Sequence, residues 1–482
     1  MPLREVLQFD PDEGIELAKI ILYGQGYSLY DQIWNDQPPL LTFLLTGWLK
    51  IFGMQIGTAR LFILGLSSIL VGAFYKSLRL SFGVGSALLG TTALCLTLNF
   101  LRLSVSVMRG LPAIALAMSG IYLLLWATVP SPANDVPSHQ RQWGRGGIGA
   151  IASGICFGLS LQIKFFTVLL FPACILQLLC GWHWRVPKKP TTQHWLSVFL
   201  WLLSCGGTVL LIALLTQSFS LEQLLGTHLT GTSRGTLQRE PSWQLLIMFL
   251  VQDLDYSLLA GIGIWHLFQR QKPALPIFPF AWLITVLVGL SFYQPLWYHY
   301  YPLISIPVVW LATDGMTESY SIVQQKQWMR KIRWRHLRPV SGRGLATGFL
   351  VLAIAFAPIK LTVLAVQNHL FIQDSESKAE IIENVRAYHS QTHWFFTDLP
   401  IVSFYAGLKV PPELAVFSTK RIESGSLGTS KLRQILETYQ PEQVLLGRYR
   451  QVEQTLQPYL QAKYRKVHTK DNITQYVLKS LR

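Results

Sequence analysis

From Thr58 to Val366 the apolar residues of this chain fall into continuous runs, each long enough to cross a hydrocarbon core of ~30 Å. The runs cover Thr58–Lys76, Ser86–Val107, Leu111–Thr128, Gly147–Ile163, Phe165–Gly181, Trp195–Thr216, Trp243–Phe268, Pro276–Phe292, Tyr300–Gly315 and Leu345–Val366. They predict about ten membrane helices. The Gly and Pro inside several runs are compatible with membrane helices, where neighbours re-satisfy the freed backbone groups. Ahead of the runs, residues 1–57 form a polar, aromatic-rich leader. In it, Asp10 suits an N-cap, Pro11 the first helical position, and Glu13 the return half of a capping box. Ile15, Ala18 and Leu22 then share one face, and Gly24 and Gly26 end the helix. Leu40–Phe52 is apolar but short. It predicts a re-entrant or interfacial helix with Trp48 at headgroup depth.

After the runs, residues 367–482 change character. Helices are predicted over Ser377–Tyr388, Ile401–Leu408, Ser430–Tyr439 and Val452–Leu460. Strands are predicted over His393–Thr397, Leu414–Phe417, Gln443–Leu446, Tyr464–His468 and Gln475–Leu478. This alternation points to a small α/β domain, without a Gly-rich phosphate loop. The expected architecture is therefore mainly α: a polytopic transmembrane helical bundle over 58–366, followed by a C-terminal α/β domain.

Charge gives the bundle a direction. The chain has 482 residues, 50% hydrophobic and 14% charged, with a formal net charge of +16. Lys76, Arg79, Arg141, Arg145, Arg185, Lys188, Lys189, Arg270, Lys272 and the run from Lys326 to Arg343 all fall in alternate loops. The opposite loops hold only a few, such as Arg109, Arg234 and Arg239. This is the positive-inside pattern, and it predicts a multi-pass inner-membrane protein with leader and C-terminal domain both extracytoplasmic. The run before Leu345 is a retention and anionic-lipid signal, and no folded nucleic-acid recognition module surrounds it. An even number of spans puts the leader outside, with no apolar run before Asp10. Either it is translocated as a free N-terminal tail or, the favoured expectation, a first transmembrane helix is encoded upstream of Met1. Cys95, Cys156, Cys174, Cys180 and Cys205 all lie in apolar runs, giving neither a disulfide framework nor a metal-type pair.

Candidate chemistry gathers at the expected outer face. Asp12 and Glu13 open the leader helix, where acids also complement the helix dipole. Asp36-Gln37 stands directly before Pro38-Pro39, which stiffen the chain and fix its exit direction. Arg60, Arg109 and Lys164 lie near outer ends of runs, and His299 stands beside Tyr300 in the aromatic turn 293–301. Arg109 and Lys164 equally suit snorkelling cations, and the Tyr-His cluster an aromatic belt. His228, in the polar outer loop Gln217–Ser242, is a further candidate. Ionisable groups gathered at the membrane surface are candidates for chemistry on something the membrane presents.

The ordered set Asp12-Glu13, Gly26-Tyr27, Asp36-Gln37-Pro38-Pro39-Leu40, Phe52-Gly53 and Ala59-Arg60-Leu61 resembles the first outer loop of the GT-C membrane glycosyltransferases. The nearest subgroups are the lipid A aminoarabinose transferases and the protein O-mannosyltransferases. Looser likeness extends through Gly158–Lys164 to the C-terminal outer domain. The resemblance implies an inverting glycosyltransferase that moves a sugar from a polyprenyl-phosphate-linked donor to a lipid, glycan or protein acceptor on the extracytoplasmic face. Asp12 matches the family's catalytic Asp, with Glu13 beside it; Asp36, Gln37, Arg60, Arg109, Lys164, His299 and Tyr300 are the candidate substrate-binding residues. A metal is unnecessary for a monophosphate donor, although Asp10, Asp12, Glu13 and Asp36 would hold one if they converged. Two positions depart from the family: Arg109 stands where relatives often carry an acid, and Gln37 where some carry Lys or His. An aminoarabinose donor therefore does not follow. The competing readings are a polytopic transporter or lipid flippase, which would show paired repeats and interrupted helices around a midplane site, and a non-catalytic assembly factor that keeps the fold.

Overall fold

The computed structural model describes residues 1–128, 138–181, 191–217, 220, 222–226, 241–269, 277–324 and 342–481. His228, Arg234, Arg239 and most of the basic-loop cations (Arg185, Lys188, Lys189, Arg270, Lys272 and Lys326 to Arg338) lie outside the described residues, as do the side chains of Arg141, Arg145 and Arg343.

The leader helix spans Pro11–Gly24 with Asp10 as N-cap and Pro11 at its start. Its capping box does not close. The Asp10 carboxylate accepts from the Asp12 N–H at 3.0 Å, and Glu13 has other partners, described below. Leu40–Phe52 is a 13-residue helix, ended by Gly53 in the left-handed region (φ 97°). Among the described residues, Ile56–Cys95, Gly110–Thr128, Thr192–Thr216 and Gly342–Ala387 are helices long and apolar enough to cross a membrane. A fifth span results if Ser242–Gln252 and Leu254–Gln269, bent by 92° at their junction, count as one.

Other runs are shorter or broken. Gly83 (φ 79°) interrupts Ile56–Cys95, and the expected Ser86–Val107 span stops at Cys95 before the short helix Phe100–Leu103. Polar Thr97, Asn99 and Ser104 are buried there and turn the chain instead of continuing it. Phe165–Leu170 is 3-10, and Phe171–Cys180 continues as α-helix. Leu210, Leu211, Leu214, Ile354 and Ile359 remain exposed on the long helices, as lipid-facing side chains would be. All five cysteines are free.

One helix, Gly342–Ala387, runs unbroken through the expected boundary at 366/367 into the C-terminal unit. There, β1 (Phe395–Thr397), β2 (Gln443–Leu446), β3 (Tyr464–Lys470) and β4 (Ile473–Leu478) form one sheet in the order β1-β2-β4-β3. β1 and β2 are parallel, with Thr397 opposite Leu445; β4 is antiparallel to both β2 and β3. The expected strand Leu414–Phe417 is instead buried irregular chain after a 3-10 turn, Pro412–Leu414. Short apolar runs do not separate strand from other buried chain, and the adjacent prolines favour the turn.

The leader helix joins the two halves. Leu17 and Ile20 pack into the bundle core, while Ala18 and Leu22 pack with Phe396, Val444 and Leu446 of the sheet. A Cβ at Gly14 would come within 2.6 Å of the Ile401 backbone nitrogen, so glycine is what lets the leader helix press onto Pro400–Ala406.

Candidate active site

At the head of the leader helix, consecutive acids have opposite fates. Successive helical residues are about 100° apart, so Asp12 and Glu16 share a face and Glu13 leaves it. Asp12, Glu16 and Lys19 line a cavity of about 550 Å³. Glu13 points into protein and is fully buried with Arg60. Its Oε2 lies 2.9 Å from Arg60 Nη2, and the carboxylate accepts the N–H groups of Phe9 at 2.7 Å and Val107 at 2.8 Å. Arg60 also donates to the carbonyls of Val6 (2.7 Å) and Leu3 (2.9 Å) and lies 4.4 Å from the Phe9 ring. The pair therefore fastens the N-terminal segment to the bundle. Neither residue reaches the cavity, which corrects the expectation that Glu13 and Arg60 act on substrate. With Glu13 turned away, the four leader acids do not converge as a metal cluster.

Asp36, Gln37, Arg109, Lys164, His299 and Tyr300 all reach the cavity wall, drawn from four separate parts of the chain. Arg109 is fully engaged. It donates to Glu16 Oε1 and Oε2 at 2.7 and 2.9 Å, to Thr42 Oγ1 at 2.9 Å, and to the Pro38 carbonyl. Lys19 adds a third contact to Glu16, at 2.8 Å. Burial alone would raise the Glu16 pKa, but Arg109 and Lys19 outweigh it and hold the carboxyl down at about 2. The Gln37 carbonyl accepts from Tyr30 Oη (2.8 Å) and Asn35 Nδ2 (2.6 Å), which sets the turn into Pro38-Pro39.

Asp12 is half-buried on the wall. Burial pushes its pKa up, with Glu16 adding to the rise, while the charges of Lys164, Arg448 and Lys19 oppose it. A carboxylate so placed is more basic than an ordinary Asp yet remains surrounded by cations, the combination general-base work requires. Lys164 Nζ lies 2.7 Å from His299 Nε2 and 5.1 Å from the Tyr300 ring. Burial and that ammonium hold the His299 imidazole well below its usual range, so neutral Nε2 accepts from Lys164.

Val168, Leu169, Leu290, Tyr293 and Trp297 give the same cavity an apolar lining. They come from the 3-10 segment, the end of Phe278–Ser291 and the aromatic turn. The cavity thus combines charged and apolar lining, as a phosphorylated lipid requires.

Residues 36–210 match the family of dolichyl-phosphate-mannose-protein mannosyltransferases. The fold is similar to that of ArnT from Cupriavidus metallidurans bound to undecaprenyl phosphate, with a TM-score of 0.64 and 14% identity, covering 99% of this chain and 96% of that one. The chain therefore has a GT-C-type fold. The fold is also similar to that of the oligosaccharyltransferase AglB from Archaeoglobus fulgidus in complex with an inhibitory peptide and a dolichol-phosphate. There the TM-score is 0.54 and the identity 11%, over 99% of this chain and 71% of that one. No curated protein matches it. The expected mainly α, GT-C-like fold with a small C-terminal α/β domain is borne out.

Four charged residues of the cavity escaped the sequence reading: Glu16, Lys19, Lys420 and Arg448. The first two were legible in principle, since they lie four and seven residues beyond Asp12 on its helical face. Lys420, 3.6 Å from Asp36, and Arg448 come from the C-terminal unit, and no spacing rule links them to the leader.

Proposed function

We propose that the chain transfers a sugar from a polyprenyl-phosphate-linked donor to an acceptor hydroxyl on the extracytoplasmic face, with Asp12 as the catalytic carboxylate. The observation that carries this reading is Asp12 under the influence of the Lys164 charge within one cavity lined by both charged and apolar side chains. Two similar proteins were solved with undecaprenyl phosphate and dolichol-phosphate, lipids of the shape such a cavity would take.

Asp12 accepts the proton of the acceptor hydroxyl as its oxygen attacks the anomeric carbon. The bond from that carbon to the phosphate oxygen breaks, and the polyprenyl phosphate leaves with the electron pair, so configuration inverts. Cations of the cavity wall, Lys164 foremost, stabilise the charge that grows on the leaving phosphate. Asp36 and Gln37 hold the sugar side of the cavity, and Tyr300 with His299 fixes Lys164. The positive-inside charge pattern supports an extracytoplasmic position for this end of the bundle. The partners are then membrane lipid, the polyprenyl-linked donor and an acceptor lipid, glycan or protein, with no nucleic acid. Residues 1–57, 58–366 and 367–482 act as leader, bundle and outer domain.

The test supplies membranes with polyprenyl-phosphate sugars and compares wild type with Asp12→Asn. Transfer should vanish while the variant accumulates to the wild-type level. Full transfer by the variant would remove Asp12 from the mechanism, and solute uptake into vesicles that survives the change would favour a transporter. Mass spectrometry of envelope glycans in a deletion strain identifies sugar and acceptor.

A further inference from the structure

The cavity contains more positive groups than the leader and bundle supply, and they differ in how far they are already occupied. Arg109 and Lys19 are spent on Glu16, and Lys420 faces Asp36. Arg448 is different. Its side chain reaches the cavity, its charge acts on Asp12, and among the described residues its guanidinium makes no ion pair or hydrogen bond. Its side-chain contact is the Tyr449 ring, 5.1 Å away.

The backbone beneath Arg448 is built to hold it there. β1 and β2 run parallel, so both end at the same edge of the sheet. Asp398 follows β1 and is fully buried. Its carboxylate accepts the N–H of Gly447 at 3.0 Å, of Arg448 at 2.9 Å and of Tyr449 at 2.8 Å, tying down the loop after β2. Gly447 lets that loop press against β4, since a Cβ there would lie 2.6 Å from Ile473 Cγ1. A buried acid bonded to three consecutive amides is a costly way to set one loop, and the side chain this loop extends toward Asp12 is Arg448.

We propose that Arg448 binds the phosphate of the polyprenyl carrier beside Lys164, with Asp398 as its positioning residue, so that the C-terminal domain completes the active site. This rests on the donor class proposed above. A guanidinium matches phosphate with paired N–H donors, and its place near the reacting carboxylate is where leaving-group charge develops. Lys164, already shared with His299, provides one point charge; Arg448 adds directional hydrogen bonds.

The test titrates undecaprenyl phosphate and, separately, uncharged undecaprenol into full-length protein in lipid nanodiscs, read by tryptophan fluorescence, for which Trp297 on the cavity wall is a reporter. Wild type should prefer the phosphate. Arg448→Ala should lower affinity for undecaprenyl phosphate about 10- to 100-fold and leave undecaprenol binding unchanged. Arg448→Lys should keep part of the preference, and Asp398→Asn should lose part of it. An undiminished preference in Arg448→Ala overturns the proposal while leaving the donor class standing. So does intact phosphate binding with a raised KM for the acceptor, which assigns Arg448 to that substrate. A parallel fall for both probes in Arg448→Ala and Arg448→Lys assigns it to the structure of the cavity. A wild type with no preference for phosphate defeats the donor reading itself.

Discussion

Buried charge collects in two regions of this chain. One lies at the bend between Ser242–Gln252 and Leu254–Gln269, where Lys360 from the long helix sits 2.8 Å from both Asp253 and Asp255. The Tyr256 ring covers the ammonium at 3.8 Å, Tyr301 donates to Asp253, and the space left there is about 10 Å³. The other region is the cavity headed by Asp12, with about 550 Å³. The first closes on itself: each charge has its answer and there is no room for a guest. In the second, Glu16 silences Arg109, yet Asp12, Lys164 and Arg448 face open space. Ionisable groups at membrane depth attract functional interpretation by default. Here the useful distinction is between charge that is answered inside the fold and charge left for a substrate.

The comparison breaks most sharply at Asp12. Asp12→Asn should cut transfer by about 10²- to 10⁴-fold, as expected for loss of a general base. Because burial raises the Asp12 pKa, its ionised form costs stability at neutral pH, so thermal unfolding of the variant should come no earlier than in wild type. Lys360→Met should do the reverse: stranding two buried carboxylates costs about 3–5 kcal/mol, seen as early unfolding in detergent, while the folded fraction keeps its KM. A normal melting curve for Lys360→Met would show that the closed cluster is not held by its charges.

Protonation sharpens the contrast further. A base acts only when ionised, so with the Asp12 pKa raised, kcat/KM should already fall with acid above the ordinary Asp range. Lys164 lowers that pKa, so Lys164→Met should move the acid limb to still higher pH, in addition to weakening phosphate binding. A limb that stays in place on removal of Lys164 would separate the two groups. The smallest effect belongs to Asp36→Asn, which loosens a 3.6 Å contact to Lys420 and should change stability by under about 1 kcal/mol, measured by the same unfolding curve.

Much of this was readable along the chain because it depends on neighbours in sequence. Asp10-Pro11 starts a helix through local capping, and Leu40–Phe52 is bounded by Pro39 and Gly53. Apolar runs mark the bundle because lipid accepts only helices that satisfy their own backbone. Runs misled where a polar group inside them found a buried partner: Asn99 Nδ2 donates to Tyr298 Oη at 2.8 Å, where an unbroken Ser86–Val107 span was expected. Leu414–Phe417 failed for a similar reason. Its burial was foreseeable, but a strand also needs a partner edge, and no sequence pattern supplies one.

By itself the sequence determined that this is a helical membrane protein, that a helix opens at Pro11, and that acids stand at its head. Helix periodicity even separates Asp12 from Glu13, since a 100° turn must send them different ways. Which of the two would meet the cavity was decided only in three dimensions, when Arg60, 47 residues further on, met Glu13. Arg109 was spent on Glu16 across 93 residues, and Arg448 was carried to Asp12 by a sheet formed at the far end of the chain. Local propensity acts over a few residues, whereas the balance of buried charge is settled between segments that share no spacing.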